Sequence, residues 1–145
     1  MRPEFLWEPC AGAPHGPEPS GLFLLLPMDV QWPATRVSCD QDIAGDGFFS
    51  LGMIARFASA LREHGEPFYR RLFWECGLIG QVLYLEAEAA GARSTGIGCF
   101  YDDAVHEMLG LAGAEWQSLY HFSMGMPVDD MRLTTEPGYP WEIDV

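Results

Sequence analysis

Apolar residues recur at three- and four-residue steps from Phe68 through Leu72, Cys76, Ile79 and Leu83, so they share one face and predict a long helix. Pro67 suits its first position, where a missing N–H costs nothing. Tyr69, Phe73, Val82, Leu85 and Ala89 widen the apolar surface beyond a stripe, which predicts a helix covered on most sides. Arg70, Arg71, Glu75, Glu86 and Glu88 mark what water reaches. Gly77 and Gly80 each cost about 1 kcal/mol relative to alanine inside a helix, so close approach of a backbone or a ligand is expected there. Gly91 ends the helix, and Arg93 follows near the negative end of its dipole.

After this helix the period shortens. Thr95–Phe100 is β-prone, with Gly96 and Gly98 alternating through it, and glycine in a strand lets a partner approach the backbone. Asp102 and Asp103 are expected to cap a short helix over Ala104–Leu109 that Gly110 ends. Ser118–Met124 reads as a further strand. Upstream, Gly21–Leu26 predicts a buried strand closed by Pro27, and Trp32-Pro33 begins a loop. Phe48–Phe57 is read as a strand in the sheet centre, with a helix over Leu51–Leu61 as the alternative. Residues Ala58–Glu66 then form a short helix or a loop. Met1–Ser20, with five prolines, is expected to be a mobile arm. The organisation expected is an arm over 1–20, a domain over 21–139 and a tail over 140–145.

With 145 residues, 48% of them hydrophobic, the chain supports one core. A net charge of −13 argues against nucleic acid and against an acidic membrane surface, since both demand clustered positive charge. The longest apolar run, Leu22–Leu26, is too short to span a bilayer. All eight basic residues are arginine, and the chain has neither lysine nor asparagine. Cys10, Cys39, Cys76 and Cys99 contain no C-x-x-C pair and favour none of the three pairings. Reduced thiols in the cytoplasm are the simpler expectation.

The helix ending in Ala-Gly, the GIGCFYDD turn, the short helix before LGL, and SLYHFSMGMP followed by DDMRL resemble, in that order, the C-terminal half of the nitroreductase-like flavoproteins. The likeness covers roughly residues 48–139 and looks closest to the branch containing the azoline-forming peptide dehydrogenases. It implies an α+β fold, a mixed or antiparallel sheet covered by a long central helix and short helices, present here as a partial domain. Members of the family often form intertwined homodimers with flavin at the subunit boundary. The activity implied is FMN-dependent hydride or electron transfer between NAD(P)H and an electron-poor acceptor. By the same resemblance, Gly96, Ile97, Gly98 and Cys99 are candidates to meet FMN, with Gly98 and Cys99 where the family's backbone touches the isoalloxazine edge. Arg132 matches the family's basic residue on the phosphate, where a guanidinium would give forked, charge-assisted bonds.

Plainer readings stand beside these. GIGCF can be a tight core strand, Arg132 can pair with Asp129 or Asp130, and Arg93 can be a helix-end charge. His121 reads as a satisfied core histidine, and Tyr120 can stack on a ligand or merely pack. His106-Glu107 lacks the second histidine of a zinc helix, because Gly110 stands there. Asp40, Asp42 and Gly45 start like a calcium loop, but Ala44 and Leu51 lack the oxygens it needs. Tyr101 breaks G-x-G-x-x-G. The family's arginine-serine-arginine pattern has no counterpart here, nor have its flavin-facing asparagine and the lysine-tyrosine pair of azoline oxidation. A truncated reading frame, or a domain separated from a larger partner, is therefore one expectation. A non-catalytic, flavoprotein-like module that docks on a partner protein through Phe68, Leu72, Phe73 and Trp74 is the alternative function.

Overall fold

The computed structural model describes residues 4–10, 21–134, 136 and 138–139. Its main sheet is antiparallel, with order β3-β5-β4, formed by Phe49–Arg56 (β3), Arg93–Ile97 (β4) and Trp116–Gly125 (β5). A separate two-stranded ribbon pairs Glu8–Pro9 (β1) with Phe23–Leu24 (β2). Among the described residues the α-helices are Gln31–Val37 (α1), Phe57–His64 (α2), Tyr69–Ala89 (α3) and Asp102–Leu109 (α4). The class is α+β, as the resemblance implies.

The helix α3 forms where its spacing places it. A 3-10 turn over Glu66–Phe68 carries Pro67 and leads into it. Gly91 follows its end at φ 72°, a left-handed conformation in which glycine avoids the penalty of a Cβ. The buried stripe is Leu72, Cys76, Gly80 and Ala87. Ile79, expected on that face, is half exposed instead, because the stripe runs through Gly80 rather than past it. A Cβ on Gly80 would stand 3.0 Å from Tyr120 Cε1 and 3.7 Å from Phe122 Cε2, so its absence lets the helix settle onto β5. There Leu72, Cys76, Met53, Leu119 and Phe122 make the main core cluster. Burying a side chain the size of Phe122 contributes about 1.5–3 kcal/mol.

Several expectations need correction. Residues 48–57 do form a strand, but β3 lies at the edge and β5 takes the centre, bonded on both sides. A bulge at Met53/Ile54 lets Leu119 fall between the partners Tyr120 and Ser118. Trp32-Pro33 opens no loop: Pro33 lies in the first turn of α1, where its missing N–H would have had no partner, and Gln31 N donates to Asp29 Oδ1 at 3.0 Å. Residues 21–26 do not make a buried strand, since β2 is two residues long and exposed on the ribbon. Asp102 and Asp103 sit within the first turn of α4 rather than capping it, and Tyr101 takes the capping position. Negative charge in a first turn is still favourable to the helix dipole.

Of the arm expected over 1–20, residues 4–10 carry β1 and hold to β2, with Leu6 N donating to Leu25 O at 2.9 Å. Residues 1–3 and 11–20, like the tail over 140–145, lie outside the described residues. The expectation of four reduced thiols is corrected as well, because Cys39 and Cys99 form a disulfide, their Cα atoms 5.9 Å apart. That spacing is ordinary for a cystine, and a sequence separation of 60 concealed it. Cys10 and Cys76 are free.

Candidate functional site

β4 leaves the sheet at Ile97 and passes through Gly98, Cys99 and Phe100 to α4, so four of the five candidate residues follow one another along this exit. Their surroundings differ sharply. A Cβ on Gly96 would fall on the Tyr120 hydroxyl and lie 2.6 Å from its Cζ, so the space beside this glycine is filled by the protein's own tyrosine. The Gly96 amide also donates to Tyr84 Oη at 2.7 Å. The expectation of room for a planar ring at both glycines is therefore corrected at Gly96. At Gly98 it is different: beyond its chain neighbours, no atom of the described residues lies within 4 Å of where a Cβ would be, and the residue is exposed. Ile97 is buried, and Cys99 is exposed and bound to Cys39.

Arg132 is directed elsewhere. Its Nε donates to Asp130 Oδ1 at 2.8 Å and its Nη2 to Asp130 Oδ2 at 2.6 Å, with the side chain 88% exposed. Hydrogen bonding from Arg132 holds the Asp130 carboxyl below the ordinary aspartate range. A pair this exposed contributes little to stability, yet it occupies the fork that a phosphate would need. Arg93 likewise donates to Glu88 Oε2 at 2.8 Å.

Two cavities flank the sheet, and none of the five candidates lines either. One, of about 590 Å³, runs past Ile43, Asp46, Arg93, Thr95 and Met126. Ser94 Oγ is buried and has no hydrogen-bond partner among the described residues, and Ser94 lines this cavity. The other, of about 720 Å³, is walled by α1, α4, β2 and β3 and floored by His121. His121 is 3% exposed, and both ring nitrogens are engaged: Nδ1 lies 3.3 Å from Ser38 Oγ and Nε2 lies 3.1 Å from Ser118 Oγ. Phe100 stacks on the ring at 4.3 Å. Burial lowers the His121 pKa, while the nearby Asp102 charge works the other way. A neutral, doubly bonded imidazole under an aromatic lid fits the plain reading of a satisfied core histidine. The serines around it gave no sequence signal, since Ser38 and His121 are 83 residues apart.

The match to known sequences decides the family: the model of the Nitroreductase family aligns with residues 28–126, more than half of the chain. The chain belongs to the Nitroreductase family. Among solved structures, a candidate nitroreductase from Anabaena variabilis is 27% identical with TM-score 0.64, over 70% of this chain and 20% of its own. A candidate nitroreductase from Exiguobacterium sibiricum, solved in complex with FMN, is 15% identical with TM-score 0.52, over 77% of this chain and 68% of its own. A candidate NAD(P)H:FMN oxidoreductase from Staphylococcus epidermidis is 12% identical with TM-score 0.51, over 77% of this chain and 67% of its own. The last two show likeness of fold alone. No protein of curated function matches the chain at a significant level. The chain thus spans about a fifth of the length of the Anabaena protein. Among the described residues, no helix is long and apolar enough to cross a membrane.

FMN is the cofactor this family implies, and the residues present fit it only in part. The open backbone at Gly98 suits the edge of a flat ring. Gly96 is blocked, and the candidate cation, Arg132, is paired with a carboxylate, as is Arg93.

Proposed function

We propose that this chain supplies one wall of an FMN site in an oxidoreductase of nitroreductase type, and that an assembly supplies the rest. The reaction would move hydride or electrons between NAD(P)H and an electron-poor acceptor. In such a site the flavin supplies the redox chemistry, while the protein contributes position and exclusion of water. The observation that carries this reading is the contrast at the exit of β4, where Gly98 is open and Gly96 is already filled. Gly98, with the Ile97 and Cys99 backbone beside it, would face the ring edge. Arg132 would reach a phosphate only after exchanging Asp130 for it, and Gly96 would shape the turn through Tyr120. The completing unit would be a second copy of the chain or a partner domain, working in the cytoplasm.

The exposed apolar surface of α3 supports the need for an assembly. Trp74 is 61% exposed and Leu78 69%, and large apolar patches on a soluble surface mark partner sites. The same observation favours the second reading, a non-catalytic module docked on a partner protein. Of the four residues expected on that docking face, Phe73 and Trp74 are open, Phe68 is half-buried and Leu72 is buried in the core.

Titrating FMN into the purified chain and its Gly98→Val variant, with flavin fluorescence as readout, tests the proposal. Quenching by the parent, weakened at least tenfold in a variant with unchanged circular dichroism, is expected. Equal quenching by both proteins would remove Gly98 from the site, and no quenching at any concentration would favour the docking module.

A further inference from the structure

We infer that Cys39–Cys99 is a second, thiol-exchanging redox centre, whose opening under native conditions loosens the exit of β4 against α1. The disulfide joins two irregular segments, the turn after α1 and the stretch between β4 and α4. No helix or sheet hydrogen bond has to break for it to open. It also stands apart from the core cluster of Met53, Leu72, Cys76, Leu119 and Phe122, so its opening need not unfold the protein.

The two sulfur-bearing residues are not equivalent. Cys99 is exposed and Cys39 is half-buried, so an approaching thiolate reaches Cys99 more readily. Attack therefore falls on Cys99. A reductant thiolate bonds to Cys99 Sγ, the Cys39–Cys99 bond breaks, and its electron pair stays on Cys39 Sγ, which takes a proton from water. A second thiolate resolves the mixed disulfide, and Cys99 leaves as a thiolate that is protonated in turn. Two external thiols become one disulfide, and the protein gains two electrons and two protons.

What opening releases is also visible. Cys39 and Asp40 are consecutive non-glycine residues at φ 56° and 57°, a left-handed conformation that such residues seldom adopt. The disulfide holds the first, and a double hydrogen bond from Arg36 at 2.6 and 2.7 Å holds the second. Once the sulfurs part, α1 and the exit stay joined by Tyr101 N donating to Val37 O at 2.8 Å and Gln41 Nε2 donating to Cys99 O at 3.2 Å. Arg36 also lies 5.7 Å from the centre of the Tyr101 ring. The exit would loosen without leaving its place. Cys76 is not a competing thiol, because it is buried in the core and burial pushes its pKa up.

The test is a series of glutathione redox buffers on the folded wild-type chain, with thiols trapped by alkylation and located by peptide mass. Cys39 and Cys99 should become alkylated together as the buffer turns reducing, while circular dichroism stays unchanged. Backbone amide exchange at 38–41 and 98–101 should then rise at least tenfold, with α3 unaffected. In Cys39→Ser, oxidised glutathione should form its adduct on Cys99 at least ten times faster than on Cys39 in Cys99→Ser. The inference is overturned if the pair opens only when the protein unfolds, which would make it a structural staple. Alkylation of both residues in fully oxidised buffer, or exchange rates that ignore the redox state, would overturn it equally. The wild-type arms stand even if a serine variant fails to fold.

Discussion

On the side of α3 that meets the sheet, Leu72, Cys76, Gly80 and Ala87 are buried, whereas on the opposite side Trp74, Leu78, Val82 and Leu85 lie open to water. The residue types on the two sides are alike, so hydrophobicity along the sequence could not tell them apart. A helix whose apolar surface extends well beyond one stripe belongs inside something larger, and the described residues cover only one side of it. The two glycines make the same point. Gly80 is explained within the chain by the close approach of Tyr120, while a Cβ on Gly77 would meet nothing within 4 Å.

Substitutions on the two sides should therefore differ most. Phe122→Ala, at a fully buried position facing α3, should cost about 3–5 kcal/mol in urea denaturation, whereas Trp74→Ser on the open side should stay within about 0.5 kcal/mol. Comparable losses at both would mean that the open side is covered in the isolated chain. Gly80→Leu should cost about 1–3 kcal/mol by forcing side-chain atoms into the Tyr120 and Phe122 rings. Gly77→Ala has the opposite sign, and should gain up to about 1 kcal/mol of helix propensity in the monomer. If it destabilises the monomer instead, Gly77 has a contact within the chain that this account lacks.

The smallest effect lies behind the sheet. With the folded pKa of His121 lowered by burial, the unfolded chain takes up a proton first as pH falls. Stability is thus full above the unfolded imidazole value near 6.5 and declines between that value and the lower folded one. Thermal midpoints of the wild type should fall more steeply below about pH 6.5 than those of His121→Gln. Parallel profiles would show that His121 is not the group responsible.

How much of this was legible in the sequence follows from the range of the forces involved. The helix α3, its glycine stop and the strand β5 rest on local periodicity and turn chemistry, and were readable, whereas the strand expected over Thr95–Phe100 runs instead over Arg93–Ile97 and leaves the sheet before Gly98. The edge position of β3 was not readable, because strand order depends on pairing between residues far apart in the chain, as Phe49 with Met124. The role of Pro33 was misread because a proline signals a loop and a first helical turn equally well. At the candidate site the glycine spacing was plain, but what filled it was not. Tyr120 reaches Gly96 from a neighbouring strand, and Asp130 satisfies Arg132 from two residues away, the plainer of the readings open for that arginine. The cystine was hidden for the same reason as the strand order.

Sedimentation velocity with FMN, followed at the flavin's visible absorbance, tests the claim that the flavin site is completed by assembly over the open side of α3. The account predicts that flavin absorbance travels only with a species at least twice the 16.2 kDa of the chain. Flavin travelling with the monomer, or a dimer that carries none, would contradict it.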